Sequence, residues 1–93
     1  MMTTPVILTI QNDPNLFIFW CPGCEYGHHI DKKRWKFNED LIKPTVSPSL
    51  LVNASRSGGH PRCHSFIKDG KIQFLNDCTH ELAGKTVNLI PYP

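Results

Sequence analysis

The sequence predicts a mostly β fold, a small antiparallel zinc-ribbon-like sheet with one short helix. Eight prolines and six glycines among 93 residues leave little room for long helices and call for many turns. The apolar residues fall in short alternating or β-branched runs bounded by turn clusters, the pattern of strands. Asp69-Gly70 separates two such runs by two residues, the spacing of a tight type I′ hairpin.

The elements follow in order. Residues 5–10 are apolar and β-branched and suit an opening strand, closed by the turn cluster of residues 11–15. Residues 16–20, rich in aromatics, form a second strand that runs into Cys21-Pro22-Gly23-Cys24. His28-His29-Ile30 is a return strand, and residues 35–37 alternate like a short one. Residues 44–49 hold Pro44 and Pro48, each lacking a backbone donor, so an extended edge or loop is expected there, leading into a strand over 50–52. Gly58-Gly59 marks a loop. Residues 63–68 and 71–76 are the arms of the hairpin. A short helix over 79–83 would end at Gly84, since glycine suits the left-handed cap, and residues 86–90 close the sheet. Phe17, Phe19, Trp20, Trp35, Phe37, Phe66 and Phe74 are the candidate core.

At this length one domain, residues 1–93, is expected, and a core this small often needs a staple. Forty per cent apolar and 19 per cent charged residues describe a folded chain. The net charge of +2 is spread along the sequence. Its densest basic run, Lys32-Lys33-Arg34, reads as a solvated turn, so no nucleic-acid partner is predicted. Residues 1–5 lack a basic start and residues 6–10 are too short for a signal core or a membrane span, which predicts a cytoplasmic protein without a membrane partner. Thiols stay reduced in that compartment, so four cysteines read as metal ligands before disulfides.

Cys21-Pro22-Gly23-Cys24 is a knuckle that can aim two thiolates at one ion, half of a tetrahedral zinc set. The hairpin register supplies the other half. With Asp69-Gly70 as the turn, Cys63 shares a face with Ser65, Ile67, Ile72, Phe74 and, if the strand continues, Cys78. The expected site is therefore Cys21, Cys24, Cys63 and Cys78 around Zn2+. The spacing Cys-x2-Cys-x38-Cys-x14-Cys departs from the ordinary ribbon, whose second pair is also a knuckle. His80 is placed to replace Cys63 or Cys78, and a one-residue slip would exchange His64 for Cys63. Of His28-His29, one should face the core and the other solvent, and either is a further candidate ligand.

On the opposite face of the hairpin, His64 lies near Leu75 and Asp77. A histidine beside a carboxylate can be held in one tautomer and act as a general base. The candidate catalytic residues are His64, Asp77 and His80. Asp77 also has a plain structural role open to it, capping the turn near Thr79. Ser47, Ser49 and Ser65 are neighbouring hydroxyls, but nothing like G-x-S-x-G surrounds them. Three protein ligands and a water would make the zinc a source of hydroxide.

Phe19-Trp20-Cys21-Pro22-Gly23-Cys24 with His28-His29, Pro44-Thr45-Val46-Ser47-Pro48-Ser49, Cys63-His64-Ser65-Phe66-Ile67, Asp69-Gly70-Lys71-Ile72-Gln73-Phe74-Leu75 and Asp77-Cys78-Thr79-His80-Glu81-Leu82-Ala83-Gly84, in this order, resemble the DUF6527 family over roughly residues 16–89. That family comprises small proteins of bacteriophages, prophages and bacterial operons with ubiquitin-like conjugation genes. The resemblance implies a host-cytosol hydrolase that removes a ubiquitin-like protein, and it points to Cys21, Cys24, Cys63, His64, Asp77, Cys78 and His80. Two functions are therefore expected in competition. One is a zinc-dependent peptidase or esterase, deubiquitinase-like, acting on a ubiquitin-like protein. The other is a non-enzymatic phage zinc-binding module that binds or inhibits another host protein.

Overall fold

The computed structural model describes residues 4–93; residues 1–3, read above for their lack of a basic start, lie outside the described residues. Two antiparallel sheets close over one core. The first is the meander β1 (Ile7–Ile10), β2 (Asp13–Cys21) and β3 (Tyr26–Asp31). The second runs β4 (Lys36–Phe37), β5 (Val46–Val52), β6 (Cys63–Lys68), β7 (Lys71–Phe74) and β8 (Thr86–Asn88) in spatial order. Among the described residues no helix is long and apolar enough to cross a membrane.

Alternation decides which side chains enter the core. Phe17, Phe19 and Cys21 of β2 and His28 and Ile30 of β3 are buried. They share one face because Phe17 pairs with Ile30 and Phe19 with His28. From the second sheet, Cys63, Ser65 and Ile67 of β6 and Ile72 and Phe74 of β7 face them. Phe19 and Phe74, at 0% and 1% exposure, each contribute about 2 kcal/mol through burial.

The hairpin turns as expected. Asp69 and Gly70 both have positive φ (51° and 78°), the type I′ signature. The register pairs Lys68 with Lys71, Ile67 with Ile72 and Ser65 with Phe74. Several expectations give way. Residues 79–83 form turns rather than a helix, although Gly84 does take positive φ (77°); so short a segment gains too few backbone bonds to repay nucleation. Residues 46–49 are extended, but as part of β5 between β4 and β6 rather than as an edge or loop ahead of the strand. Val46 already pairs with Ile67, and the register slips between Val46 and Leu50, so Pro48 sits in the irregularity where no ladder donor is required. Phe66 leaves the core and stands 42% exposed on the outer face of the second sheet.

Candidate active site and metal centre

On that outer face three side chains from separate segments meet. His64, on β6, points outward between the buried Cys63 and Ser65. Its Nε2 lies 3.0 Å from Ser49 Oγ, and its Nδ1 lies 3.1 Å from Asp77 Oδ2. Ser49 comes from β5, within the irregularity and just before Leu50 pairs with Ser65 and Leu51 with His64. Such irregularities re-aim side chains. The Ser49 carbonyl also accepts from Trp35 Nε1 at 3.3 Å, which ties this point of β5 to the residue preceding β4.

Asp77 arrives through the turn that follows β7. Leu75 N donates to His64 O at 2.9 Å and Cys78 N to Leu75 O at 3.2 Å, folding the chain back beside β6. The same Oδ2 that meets His64 accepts from Arg62 Nε at 3.1 Å and Nη2 at 2.9 Å. The Arg62 guanidinium, and after it His64, hold the Asp77 carboxyl below the usual carboxylate range. An ionised carboxylate only accepts, so Nδ1 of a neutral His64 must carry the proton. Nε2 is then the bare nitrogen facing the Ser49 hydroxyl. This is the arrangement in which a serine can be deprotonated by its neighbour.

Behind this face, within the core, lies a sulfur cluster. One ligand atom from each of Cys21, Cys24, His28 and Cys63 falls within 4.8 Å of all the others, so the group could hold a metal ion. Cys21 Sγ and Cys63 Sγ are 3.9 Å apart, close to the roughly 3.8 Å edge of a tetrahedron with zinc–sulfur bonds near 2.3 Å. The knuckle supplies the backbone bonds expected of it, with Cys24 N donating to Cys21 Sγ at 3.4 Å and Glu25 N to Cys21 O at 2.8 Å. Hydrogen bonds from Cys24 and Cys63 hold the Cys21 thiol far below its ordinary range, outweighing burial. Donating to Cys21 pushes the Cys24 thiol up to about 12. Cys63 is driven up by its bonds to Cys21 and then Cys24. His28 Nε2 is buried without a hydrogen-bond partner, which fits a nitrogen reserved for a ligand role.

The expected ligands divide between two groups. Cys78 belongs with Cys63 and His80, a second set of three within 4.8 Å. Its Sγ engages the backbone of His64, at 3.2 Å from both N and O. Of the two neighbouring histidines, one expected to face the core and the other solvent, His28 is the buried one and joins Cys21, Cys24 and Cys63, while His29 is exposed. The expected catalytic trio divides too. His64 and Asp77 are together, whereas the His80 ring packs on Phe74 at 4.5 Å between centroids and crowds Gly23. Phe74 belongs to the core face, opposite the Ser49 hydroxyl. Ser49 was one of three neighbouring serines without a motif. The signal for it was indirect: an oriented histidine–carboxylate pair lacks a hydroxyl, and the segment 47–49 precedes the strand beside β6.

The sequence model of a family described as bacterial ubiquitination-like system serine protease (BubE) matches residues 2–75. That span contains Ser49, His64 and the whole Cys21, Cys24, His28, Cys63 group, while Asp77 lies two residues beyond its end. No curated protein and no solved structure matches.

Proposed function

The chain belongs to the family of bacterial ubiquitination-like system serine proteases (BubE), and on that premise we propose that Ser49, His64 and Asp77 form the catalytic triad of a serine hydrolase. One observation carries the reading: the unbroken line of contacts from Asp77 Oδ2 through both ring nitrogens of His64 to Ser49 Oγ. Ser49 Oγ attacks the carbonyl carbon of the substrate while its proton passes to His64 Nε2. Asp77 steadies the imidazolium that forms. When the tetrahedral intermediate collapses, His64 returns the proton to the leaving group and the acyl chain stays on Ser49. Water, deprotonated by His64, then attacks the acyl carbon and releases the acid, restoring the Ser49 hydroxyl.

In this reading the nucleophile is Ser49 rather than a metal-bound water, and His80 takes no part in proton transfer. The group Cys21, Cys24, His28 and Cys63 suits zinc, because sulfur and imidazole donors in a tetrahedral set are its preferred structural ligands. Four protein ligands leave no position for substrate, so bound zinc would serve to join the knuckle to β6, one residue from His64. The family's setting in a ubiquitination-like system supports a ubiquitin-like protein as the substrate's acyl half and the bacterial cytoplasm as the place of action. A purely binding module would leave the alignment of Ser49, His64 and Asp77 without a use.

A fluorophosphonate probe tests the reading, since it reacts with activated serines. Mass spectrometry should find the adduct on Ser49, and Ser49→Ala or His64→Ala should abolish it. Asp77→Asn should slow hydrolysis by about 10⁴-fold, as expected when the base is left in the wrong tautomer. An unmodified Ser49 in folded, metal-loaded protein would overturn the assignment.

A further inference from the structure

The outer face that carries Ser49 and His64 does not end there. A groove of about 450 Å³ lies farther along β6, beginning at Phe66 and reaching the hairpin tip, walled by Thr45, Ser47, Phe66, Lys68, Lys71 and Gln73. It belongs to the same sheet face as the triad. Phe66 and Lys68 follow His64 at alternate positions of β6, Gln73 pairs with Phe66, and Lys71 pairs with Lys68. Its far end is held in place, because Asp69 N donates to Thr45 Oγ1 at 3.0 Å and Gly70 N to Pro44 O at 3.0 Å. Two features of the groove are unexplained by folding. Phe66 exposes 42% of its surface in a chain small enough to need its aromatics inside. Lys68 and Lys71 sit directly opposite each other, and neither belongs to an ion pair among the described residues. Like charges opposed across a ladder are destabilising. Asp69, the carboxylate lining the tip, answers only half of that charge.

We infer that this groove is the substrate subsite of the Ser49 centre, taking an extended peptide segment with an apolar side chain two residues, and an acidic side chain four residues, from the scissile bond. The spacing follows from strand geometry. Both β6 and an extended substrate advance about 3.3 Å per residue, so Phe66 lies about 7 Å and Lys68 about 13 Å beyond His64 along the groove. Side chains of an extended peptide alternate, so the second and fourth residues from the cut face the sheet together. The apolar one meets Phe66, and the acidic one meets the Lys68–Lys71 pair. This assignment rests on the serine-hydrolase reading and adds to it which sequence the enzyme prefers.

Internally quenched octapeptides varied at four positions on each side of the scissile bond test it, using the metal-loaded full chain. On one side, an acidic residue at the fourth position should raise kcat/KM over lysine by about fivefold, the scale of exposed ion pairs. The double variant Lys68→Glu/Lys71→Glu should reverse that preference. Phe66→Ala should remove the preference for an apolar second residue. Labelling of Ser49 by the fluorophosphonate probe is measured alongside in every variant and reports the triad separately. Labelled protein whose charge preference ignores the double substitution, or that cleaves no octapeptide, overturns the groove assignment and leaves the triad standing. Absence of labelling in the unaltered protein overturns both.

Discussion

Cys78 closes on the backbone of His64 from both directions, its Sγ 3.2 Å from the His64 nitrogen and 3.2 Å from the His64 oxygen. The thiol accepts from one and donates to the other, standing in for the neighbouring strand that β6 lacks once β7 ends at Phe74. Asp77 is the preceding residue, so the same contact sets the carboxylate against His64 Nδ1. On the other side of His64 stands Cys63, in the sulfur cluster. The proposed base is thus flanked by two sulfurs with different duties, one toward the metal group and one toward the peptide backbone.

That division predicts different phenotypes for two cysteine substitutions. Cys78→Ala should keep stoichiometric metal but loosen the Asp77–His64 alignment. The expected loss in kcat is about ten- to a hundredfold, the usual cost of misplacing a catalytic group by a fraction of an ångström to an ångström, with KM little changed. Cys63→Ala should lose the metal outright. Elemental analysis and steady-state kinetics on the two proteins decide the matter, and metal loss in Cys78→Ala would contradict the division.

If the Cys21, Cys24, His28 and Cys63 group holds a metal as proposed, removing it should expose what it joins. A strong chelator leaves three crowded cysteines, of which Cys24 and Cys63 have thiols raised far above their ordinary range, and an uncoordinated His28 in the core. The Tm should fall by well over 10 °C, since a loss of even about 2 kcal/mol lowers a domain of this size by about 8–16 °C. His28→Ala should weaken metal retention without touching Ser49. Calorimetry with and without chelator provides the measurement, and coincident melts would remove the metal from the account.

How much of this was legible in the sequence depends on how local each relationship is. Asp69-Gly70 specified the hairpin turn, and from it the alternation placed Cys63 inward, His64 outward and Asp77 near His64. Pairings between distant segments were not legible. Ser49 reaches His64 only because β5 slips register between Val46 and Leu50, and no periodicity announces a slip. Alternation alone said that one residue of His28-His29 faces the core; the pairing of Phe19 with His28 decides which. Cys78 was assigned by extending β7, yet the chain turns after Phe74. The aromatic side chain of Phe66 suggests the core, but its place between Ile67 and Ser65, both buried, puts it outside.

The knuckle glycine offers a test of packing between the two sheets. A β-carbon on Gly23 would overlap the imidazole of His80, which is itself held by Phe74 at 4.5 Å and by the Leu82 N–H at 3.2 Å to Nδ1. Gly23→Ala should therefore cost about 1–3 kcal/mol as overpacking. Pairing it with His80→Ala, which vacates the space, should cost less than the sum of the single changes. Thermal melts of the four proteins of this cycle read the coupling, and strict additivity would mean that the ring is not what Gly23 accommodates.

Arg62 sets the pH at which Asp77 loses its charge. Asp77 is held below the usual carboxylate range chiefly by Arg62 and then by His64. A carboxyl depressed on folding adds stability above its unfolded pKa, and that stability is lost as pH falls through the depressed folded value. Arg62→Gln removes the larger cause, so Asp77 should titrate at higher pH, closer to the ordinary range. The acid limb of Tm against pH should begin higher as well, by a small amount, because the pair is partly exposed (30% and 41%) and screened by solvent. An NMR titration of the Asp77 carboxyl carbon in both proteins reads the shift directly. An unmoved titration would mean that His64, rather than Arg62, keeps the carboxylate ionised.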